Sequence, residues 1–397
     1  MAAVEIAIIG GGVAGLASAA FLARAGRAVA LYERADAPRP VGAGLLLQPP
    51  GIAVLGALGL GGEVEARSEK IFRLEGKTRA GRPAFRIDYA WRGPDVCGWG
   101  VHRAVLFDAL YAAAVGAGAE IRFGREIAAR ERALEGIILK DKHGEREGPY
   151  RLVIDAAGAQ SALRPASARV ETYPYAALWG VGALENWSSG VLEQRYDGAR
   201  IMAGVLPVGR SFGGARQAAY FWSLRADAFE VWRARGIERW RDETAALWPE
   251  AAAGFAQFEA GDLAFARYAE VSVKRFFEEG VLHIGDAAHA SSPQLGQGAN
   301  MGLLDAAALA AAFAETDLGD AAAMEEAAKA FDAARRKHLA FYGFASRWLT
   351  PFFQSDSALA GAVRDAAFPL LPHIPFMKKQ MAATLAGVKT GVFSEDG

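Results

Sequence analysis

The sequence predicts an α/β fold: a helix-flanked parallel sheet, interrupted by an inserted antiparallel sheet and closed by a helical C-terminal region. Three observations lead there. "VEIAIIG", "VAGLASAAFLARAG" and "RAVALYE" read as strand, helix and strand at the N-terminus, and that order implies parallel pairing. From about residue 169 to 275, tryptophan and tyrosine cluster, and strand-like runs alternate with turn residues, as in an antiparallel sheet. "VLHIGDAAH" then resumes the buried-strand pattern, and the rest of the chain reads as helical with prolines near its end.

The other elements follow in order. "RAVLFDALYAAAVGAG" reads as a helix, "AEIRFG" as a strand, and "EGIILKDKHGEREGPYRLVIDAAG" as a hairpin leading into a strand. "YAALWGVGAL", "RIMAGVLPVG" and "QAAYFWSLR" read as strands of the inserted sheet, with helices near "WRARGIERWRDETAALW". The expected division is a discontinuous first domain (1–75, 98–168 and 276–345), an inserted domain (76–97 and 169–275) and a helical region (346–397).

Composition excludes several classes. The 397 residues suit about two domains. A hydrophobic share of 52 % is ample for a core, and a net charge of −1 implies no bulk attraction to nucleic acid. No signal peptide and no transmembrane segment are expected. The lone Cys97 cannot form an internal disulfide, so a reducing, cytoplasmic setting is expected, with Cys97 a small apolar residue. The six histidines lack zinc-ligand spacing, so no metal is expected.

Gly10, Gly12 and Gly15 fit G-x-G-x-x-G between a strand and a helix. The first glycine permits the turn, the second lets a pyrophosphate approach, and the third lets helix pack on strand. Glu33 ends the second strand, where an acid can hold an adenosine ribose. The combination marks a Rossmann-like site for NAD or FAD and disfavours NADP there. A second glycine-rich stretch, "GDAAHASSPQLGQGAN", follows a late strand and opens a helix. An aspartate would repel phosphates, so Asp286 better suits the ribityl hydroxyls of a flavin. On that reading the two loops serve two parts of one FAD.

The pieces "IIGGGVAGL", "LYER", "VGAGLLLQPPGIAVLGALGL", "VHRAVLFDAL", "LVIDAAGAQSALR" and "GDAAHASSPQLGQGANMGLLDA" occur in this order over most of residues 4 to 310. Together they resemble the group A FAD-dependent aromatic monooxygenases, the para-hydroxybenzoate hydroxylase-like or salicylate hydroxylase-like family. The resemblance implies a glutathione reductase-type FAD domain. It implies that Gly10, Gly12, Ala14 and Gly15 line the pyrophosphate, with Glu33 on the ribose and Arg34 at the adenine end. Leu46 would contact FAD, Arg103 would reach the pyrophosphate or flavin region, and Ile127 would approach the adenine. Asp286 would hold the ribityl chain and Pro293 would sit near the flavin. Gly296, Gln297, Gly298, Ala299 and Asn300 would cradle its pyrimidine end with backbone N–H groups. The middle motif departs from the family's Gly-Ala-Asp-Gly: here Asp155 replaces the first glycine and Ala157 the aspartate, while Gly158, Ser161 and Arg164 remain.

The implied activity is hydroxylation of an aromatic or similarly electron-rich small molecule with O2 and NAD(P)H, through a flavin C4a-hydroperoxide, by a monomer or homodimer. The cofactor carries the chemistry, and no side chain stands out as catalytic. His289 is better read as an anchor of the turn after Asp286 than as a base. Trp179, Arg195, Tyr196, Tyr220 and Trp222 are the candidates for a substrate pocket, although sheet core or surface suits each as well while strand register is open. Arg195 or Arg200 could hold an acidic substrate. The apolar tail "FPLLPHIPFMKKQMAATLAG" reads as a helical cover rather than a membrane or partner contact. A halogenase lacks support because W-x-W-x-I-P is absent. A reductase, or a non-catalytic flavin-binding redox sensor, is the remaining alternative.

Overall fold

The computed structural model describes residues 4–38, 43–185, 187–211 and 213–394. A six-stranded sheet runs in the order Phe277–Glu278, Val281–His283, Leu152–Asp155, Ile6–Ile9, Val29–Tyr32 and Glu120–Arg122. Its pairings are parallel except that of the outermost strand, Phe277–Glu278. The central strand, Ile6–Ile9, is buried on both faces. Alternation sends Ile6 and Ile8 into the core shared with the helices Val13–Arg24, Arg103–Gly116 and Gly298–Phe313. Ala7 and Ile9 face a small three-stranded sheet carrying Ile127, Ile137 and Tyr150.

The second large sheet has seven strands, in the order Ala264–Ser272, Arg169–Ala183, Gln217–Arg225, Ile201–Gly209, Val191–Asp197, Arg73–Thr78 and Pro83–Asp88. It is not wholly antiparallel as expected: Val191–Asp197 pairs in parallel with Arg73–Thr78, where the inserted chain rejoins an earlier segment. One face is covered by the helices Phe229–Arg235 and Ile237–Leu247 and the short helix Ala252–Ala256, which supply Trp240 and Phe255 to the core. The other face looks toward the first domain and the C-terminal helices.

One helix spans Ala321–Phe353, with Asp320 capping its first amides and Pro351 inside its last turn. The boundary expected at 345 therefore falls within continuous helix. Helices Ala358–Ala367 and Pro375–Leu385 follow and lie over the open face of the seven-stranded sheet.

Candidate active site

Loops from four parallel strands meet at the C-terminal edge of the six-stranded sheet, where ligands bind in such folds. The first is the glycine loop. A Cβ on Gly15 would lie 1.9 Å from the carbonyl oxygen of Gly10, whereas one on Gly12 would meet nothing within 4 Å. The loop is thus closed beneath and open above. Helix Val13–Arg24 starts there with no side-chain cap, leaving its first amides for an anion.

Glu33 braces this loop from the end of the second strand. Its Oε2 accepts from the Gly11 amide at 2.7 Å and its Oε1 from the Ala35 amide at 2.9 Å. Arg125 N–H donates to the Glu33 carbonyl, which brings the strand starting at Ile127 beside Glu33. Ile127 is buried and Arg34 is exposed. Arg103 is exposed at the first turn of its helix, its amide bonded to Ala43. Leu46 is buried in the strand Gly44–Leu47. Val41 and Gly42, the first residues of the run "VGAGLLL", lie outside the described residues.

The late loop converges on the same space. Gly285 turns with a positive φ of 57°, and exposed Asp286 begins the short helix Asp286–His289. A Cβ on Gly302 would lie 3.2 Å from the Ala14 Cβ, so helix Gly298–Phe313 starts directly against the first helix. A Cβ on Gly298 would be 3.9 Å from Asp286 Oδ1. The carboxylate and the second uncapped helix start therefore border one opening. Pro293 opens a single turn that Gly296 closes, its N–H donating to the Pro293 carbonyl at 2.9 Å. The side chains here do more than the backbone cradle expected of them. Asn300 is buried, accepts from the Gln48 amide at 2.7 Å and donates to the carbonyls of Leu46 and Gly296. Gln297 donates to the Leu385 carbonyl at 3.1 Å. Both tie the loop to its surroundings.

Two buried polar networks support these loops. At the "DAAG" turn, Asp155 is fully buried and bonds His283 Nδ1 at 2.8 Å, Ser161 Oγ at 2.7 Å and the Ala157 amide at 3.2 Å. The acid missing at position 157 is thus answered by one two residues earlier that holds the turn. Behind the late loop, Asp305 accepts from the Gly285 amide at 2.8 Å, pairs with His289 at 2.5 Å and with Arg335 Nε at 2.7 Å. Burial by itself would raise the Asp305 carboxyl, but His289 and Arg335 together hold it well below the usual carboxylate range. Arg335 in turn meets His338 Nδ1 at 3.1 Å, and His338 Nε2 bonds the Gly387 carbonyl at 2.8 Å. Asp305 closes the quoted run "GDAAHASSPQLGQGANMGLLDA" but was given no role there, and Arg335 and His338 lie outside every quoted motif. The signal for Asp305 is an acid at the end of that run, inside the otherwise apolar helix "GANMGLLDAAALAAAF".

A cavity of about 590 Å³ extends from Pro293, Gly298 and Ala299 across the seven-stranded sheet to the C-terminal helices. Strand alternation decides its walls. Trp179 and Tyr196 line it; Arg195, Tyr220 and Trp222 do not. Arg195 points to the other face, pairing with Glu250 and lying 5.4 Å from the Trp248 ring centroid. Tyr220 packs on Phe255 and Phe258, and Trp222 on Trp240, under the covering helices. Arg200 is largely exposed and pairs with Asp356. The alternation also brings in two residues not singled out from sequence, Gln194 and Tyr268. Trp179 Nε1 donates to the Tyr268 hydroxyl at 2.8 Å, and the Tyr196 hydroxyl donates to Gln194 Oε1 at 2.6 Å. Burial pushes the Tyr268 phenol up to about 12, so it stays a protonated donor. Asp286 and Lys389 are the charged residues among the described lining. The Lys389 ammonium is buried and donates to Gln380 and to the Val392 carbonyl. No group of three or more metal-ligating side chains occurs among the described residues.

Residues 3–339 match the family model described as an FAD binding domain. The chain belongs to that family. It is 28 % identical over 342 residues to 6-hydroxynicotinate 3-monooxygenase of Bordetella bronchiseptica, covering 80 % of this chain and 85 % of that one. Pseudomonas aeruginosa PqsL, solved with 2-aminobenzoylacetate, superposes with a TM-score of 0.74 at 25 % identity, over 90 % of this chain and 98 % of PqsL. Klebsiella pneumoniae HpxO, solved with FAD and uric acid, shares the fold with a TM-score of 0.78 at 20 % identity, over 98 % of each chain. The chain is an FAD-dependent monooxygenase of the aromatic-hydroxylase type. The residues present fit the cofactor: a glycine loop open where a pyrophosphate lies, a second helix start beside it, and Asp286 between them.

Proposed function

We propose that this enzyme hydroxylates a neutral aromatic ring held in the apolar chamber, using O2 and electrons from NAD(P)H. The observation that carries this reading is the cavity itself. It opens onto the cofactor loop, its walls are mostly aliphatic and aromatic, and no arginine is among its described lining residues. Bound FAD would supply the redox chemistry, accepting electrons from the nicotinamide and activating O2.

The chain's own part is binding, orientation and water exclusion. The start of helix Val13–Arg24 would hold the pyrophosphate and Asp286 the ribityl chain. Gly298 and Ala299, at the start of the next helix, would offer N–H groups to the pyrimidine end of the flavin, favouring negative charge there. Glu33, Arg34, Arg103 and Ile127 would serve the adenosine and pyrophosphate end.

Trp179 and Tyr268 would orient the ring. Because Trp179 already donates to the Tyr268 oxygen, the Tyr268 hydrogen is left to point to a substrate oxygen or nitrogen. The surrounding aromatic and aliphatic walls keep water from the reacting centre.

The purified protein is expected to be yellow and to oxidise NADH or NADPH faster when a neutral aromatic compound is added. Oxygen from isotopically labelled O2 should appear in the product. A colourless protein with no affinity for FAD would refute the assignment, and substrate turnover without oxygen incorporation would make it a reductase.

A further inference from the structure

The floor of the chamber is wider than one aromatic ring. Strand register lines up a row of neighbours across it: Trp179 opposite Phe221, Phe221 opposite Gly204, Gly204 opposite Gln194, Gln194 opposite Gly76 and Gly76 opposite Phe85. Trp179, Phe221, Gln194 and Phe85 all line the cavity. At a strand spacing of about 4.8 Å, the five steps of this row extend for about 24 Å. The two glycines keep the floor low. A Cβ on Gly204 would collide with the Phe221 ring, and one on Gly76 with the rings of Phe85 and Tyr196. Those rings lie over the glycines, and neither position carries a side chain that would divide the space.

Polarity falls off along the row. The Trp179–Tyr268 pair stands at its start, on the side of the loop that would face the flavin. The Val271 amide donates to the Ala290 carbonyl at 2.9 Å, which ties that loop to the strand carrying Tyr268. Midway, Gln194 and Tyr196 bond each other. Beyond them Leu192, Leu74 and Ile87 are direct neighbours across three strands. Leu74 and Ile87 are only half-buried, although they line the cavity on the inner face. The roof above strand Pro83–Asp88 supplies Phe368, Leu371 and Met377. Gln380 and Lys389, also in the roof, bond each other, and Thr384 donates to the Gln380 carbonyl at 2.8 Å. The far end thus offers carbon from floor and roof, and a polar atom placed there would lose its water without gaining a partner. Met202, Met377 and Met381 let these walls adapt to a flexible occupant.

We infer that the substrate is an aromatic ring bearing a long, flexible apolar side chain. The ring sits at Trp179 and Tyr268, and the chain crosses the sheet over Leu192, Leu74 and Ile87. The inference rests on the chamber being the hydroxylation site.

The test titrates the FAD-loaded full chain with 4-ethylphenol, 4-butylphenol and 4-hexylphenol, following the absorbance of the bound flavin. The dissociation constant should fall about fourfold for each added methylene. A terminal hydroxyl, as in 4-(6-hydroxyhexyl)phenol, should weaken binding at least about tenfold relative to 4-hexylphenol. Leu74→Trp fills the far end and should lower the hexyl-to-ethyl affinity ratio at least about tenfold. Ile87→Trp repeats the test if that variant fails to load FAD. Affinity independent of chain length, or a ratio that neither variant lowers, would overturn the inference. Graded binding without hydroxylation of any of these phenols would refute the proposed function and leave the long slot standing. Hydroxylation of 4-ethylphenol with no dependence on chain length would do the reverse.

Discussion

The cofactor edge and the chamber are built on opposite principles. At the cofactor edge, the groups that would meet the ligand are mostly backbone, and they are fixed by contacts so close that only particular residue types fit. Gly15, Gly302 and the buried carboxylates of Asp155 and Asp305 are all of this kind. In the chamber the contacting groups are side chains, and which residue contributes is decided by strand parity and by helices arriving from the far end of the chain. The first region tolerates few residues at each position. The second needs only the right volume and polarity on the right face.

The largest expected effect tests the close packing. Gly15→Ala would force a Cβ to within 1.9 Å of the Gly10 oxygen. The loop must move, at a cost of about 3 kcal/mol, so both the melting temperature of the apoprotein and FAD affinity should fall. Gly12→Ala separates the two roles. Its Cβ would enter open space, so apoprotein stability should hold while FAD affinity, read by fluorescence quenching, drops at least about tenfold. Equal stability loss in both variants would break the distinction between packing and ligand space.

This contrast also explains what the sequence discloses. The β-α-β start, Glu33 and the Asp286 loop are legible because a phosphate-binding turn admits few residues at fixed spacing. The chamber is not legible in the same way. Tyr196 and Arg195 are neighbours, yet one faces the cavity and the other faces Trp248. A one-residue change of register would exchange them. Tyr220 and Trp222 fell on the wrong side for the same reason, and Tyr268 emerges only once its strand is paired. The Asp305–Arg335–His338 network joins positions far apart in sequence, and Asp305's partners follow no motif. Its joint to Gly387 exists only because the last helix folds back over the chamber.

That joint carries the second effect. Burial, followed by the neighbouring Arg335 charge, pushes His338 down to about 4. Arg335 can only donate, so neutral His338 accepts at Nδ1 and donates from Nε2 to Gly387. The unfolded chain takes up this proton near the ordinary histidine value of about 6.5, before the folded one does. The stability contributed by neutral His338 is therefore complete above about pH 6.5. It is lost as pH falls toward about 4, by roughly 3 kcal/mol in all. Melting temperature measured across that window should fall with acid in the wild type and fall less steeply in His338→Gln. Identical slopes would show that the link between the cofactor edge and the chamber roof is not the titrating element.

A smaller effect is expected inside the chamber. Tyr268→Phe keeps the ring but removes the acceptor for Trp179 Nε1 and the donor toward substrate. The net worth of one such bond is about 1 kcal/mol, or about fivefold in kcat/KM. FAD affinity should be unchanged, because Tyr268 belongs to the sheet and not to the cofactor loops. An altered position of hydroxylation would sharpen the point, since the pair would then be orienting the ring. Loss of FAD would contradict the division between the two regions.

The smallest effect is the most direct check on parity. Arg195 is the residue that a search for an acid-binding arginine would choose, and the fold turns it away from the cavity. Its partner Glu250 is 67 % exposed, so their ion pair is worth little. The contact with Trp248 adds more: a partly shielded guanidinium against an aromatic face contributes about 1 kcal/mol. Arg195→Ala should therefore lower stability by about 1 kcal/mol and leave KM for the aromatic substrate within about twofold, because nothing on the chamber face is touched. Gln194→Ala, one residue away and facing the cavity, should raise KM instead, since it removes the acceptor that holds the Tyr196 hydroxyl. If the two results were reversed, the strand would present its other face to the substrate, and an anionic compound held by Arg195 would replace the neutral one.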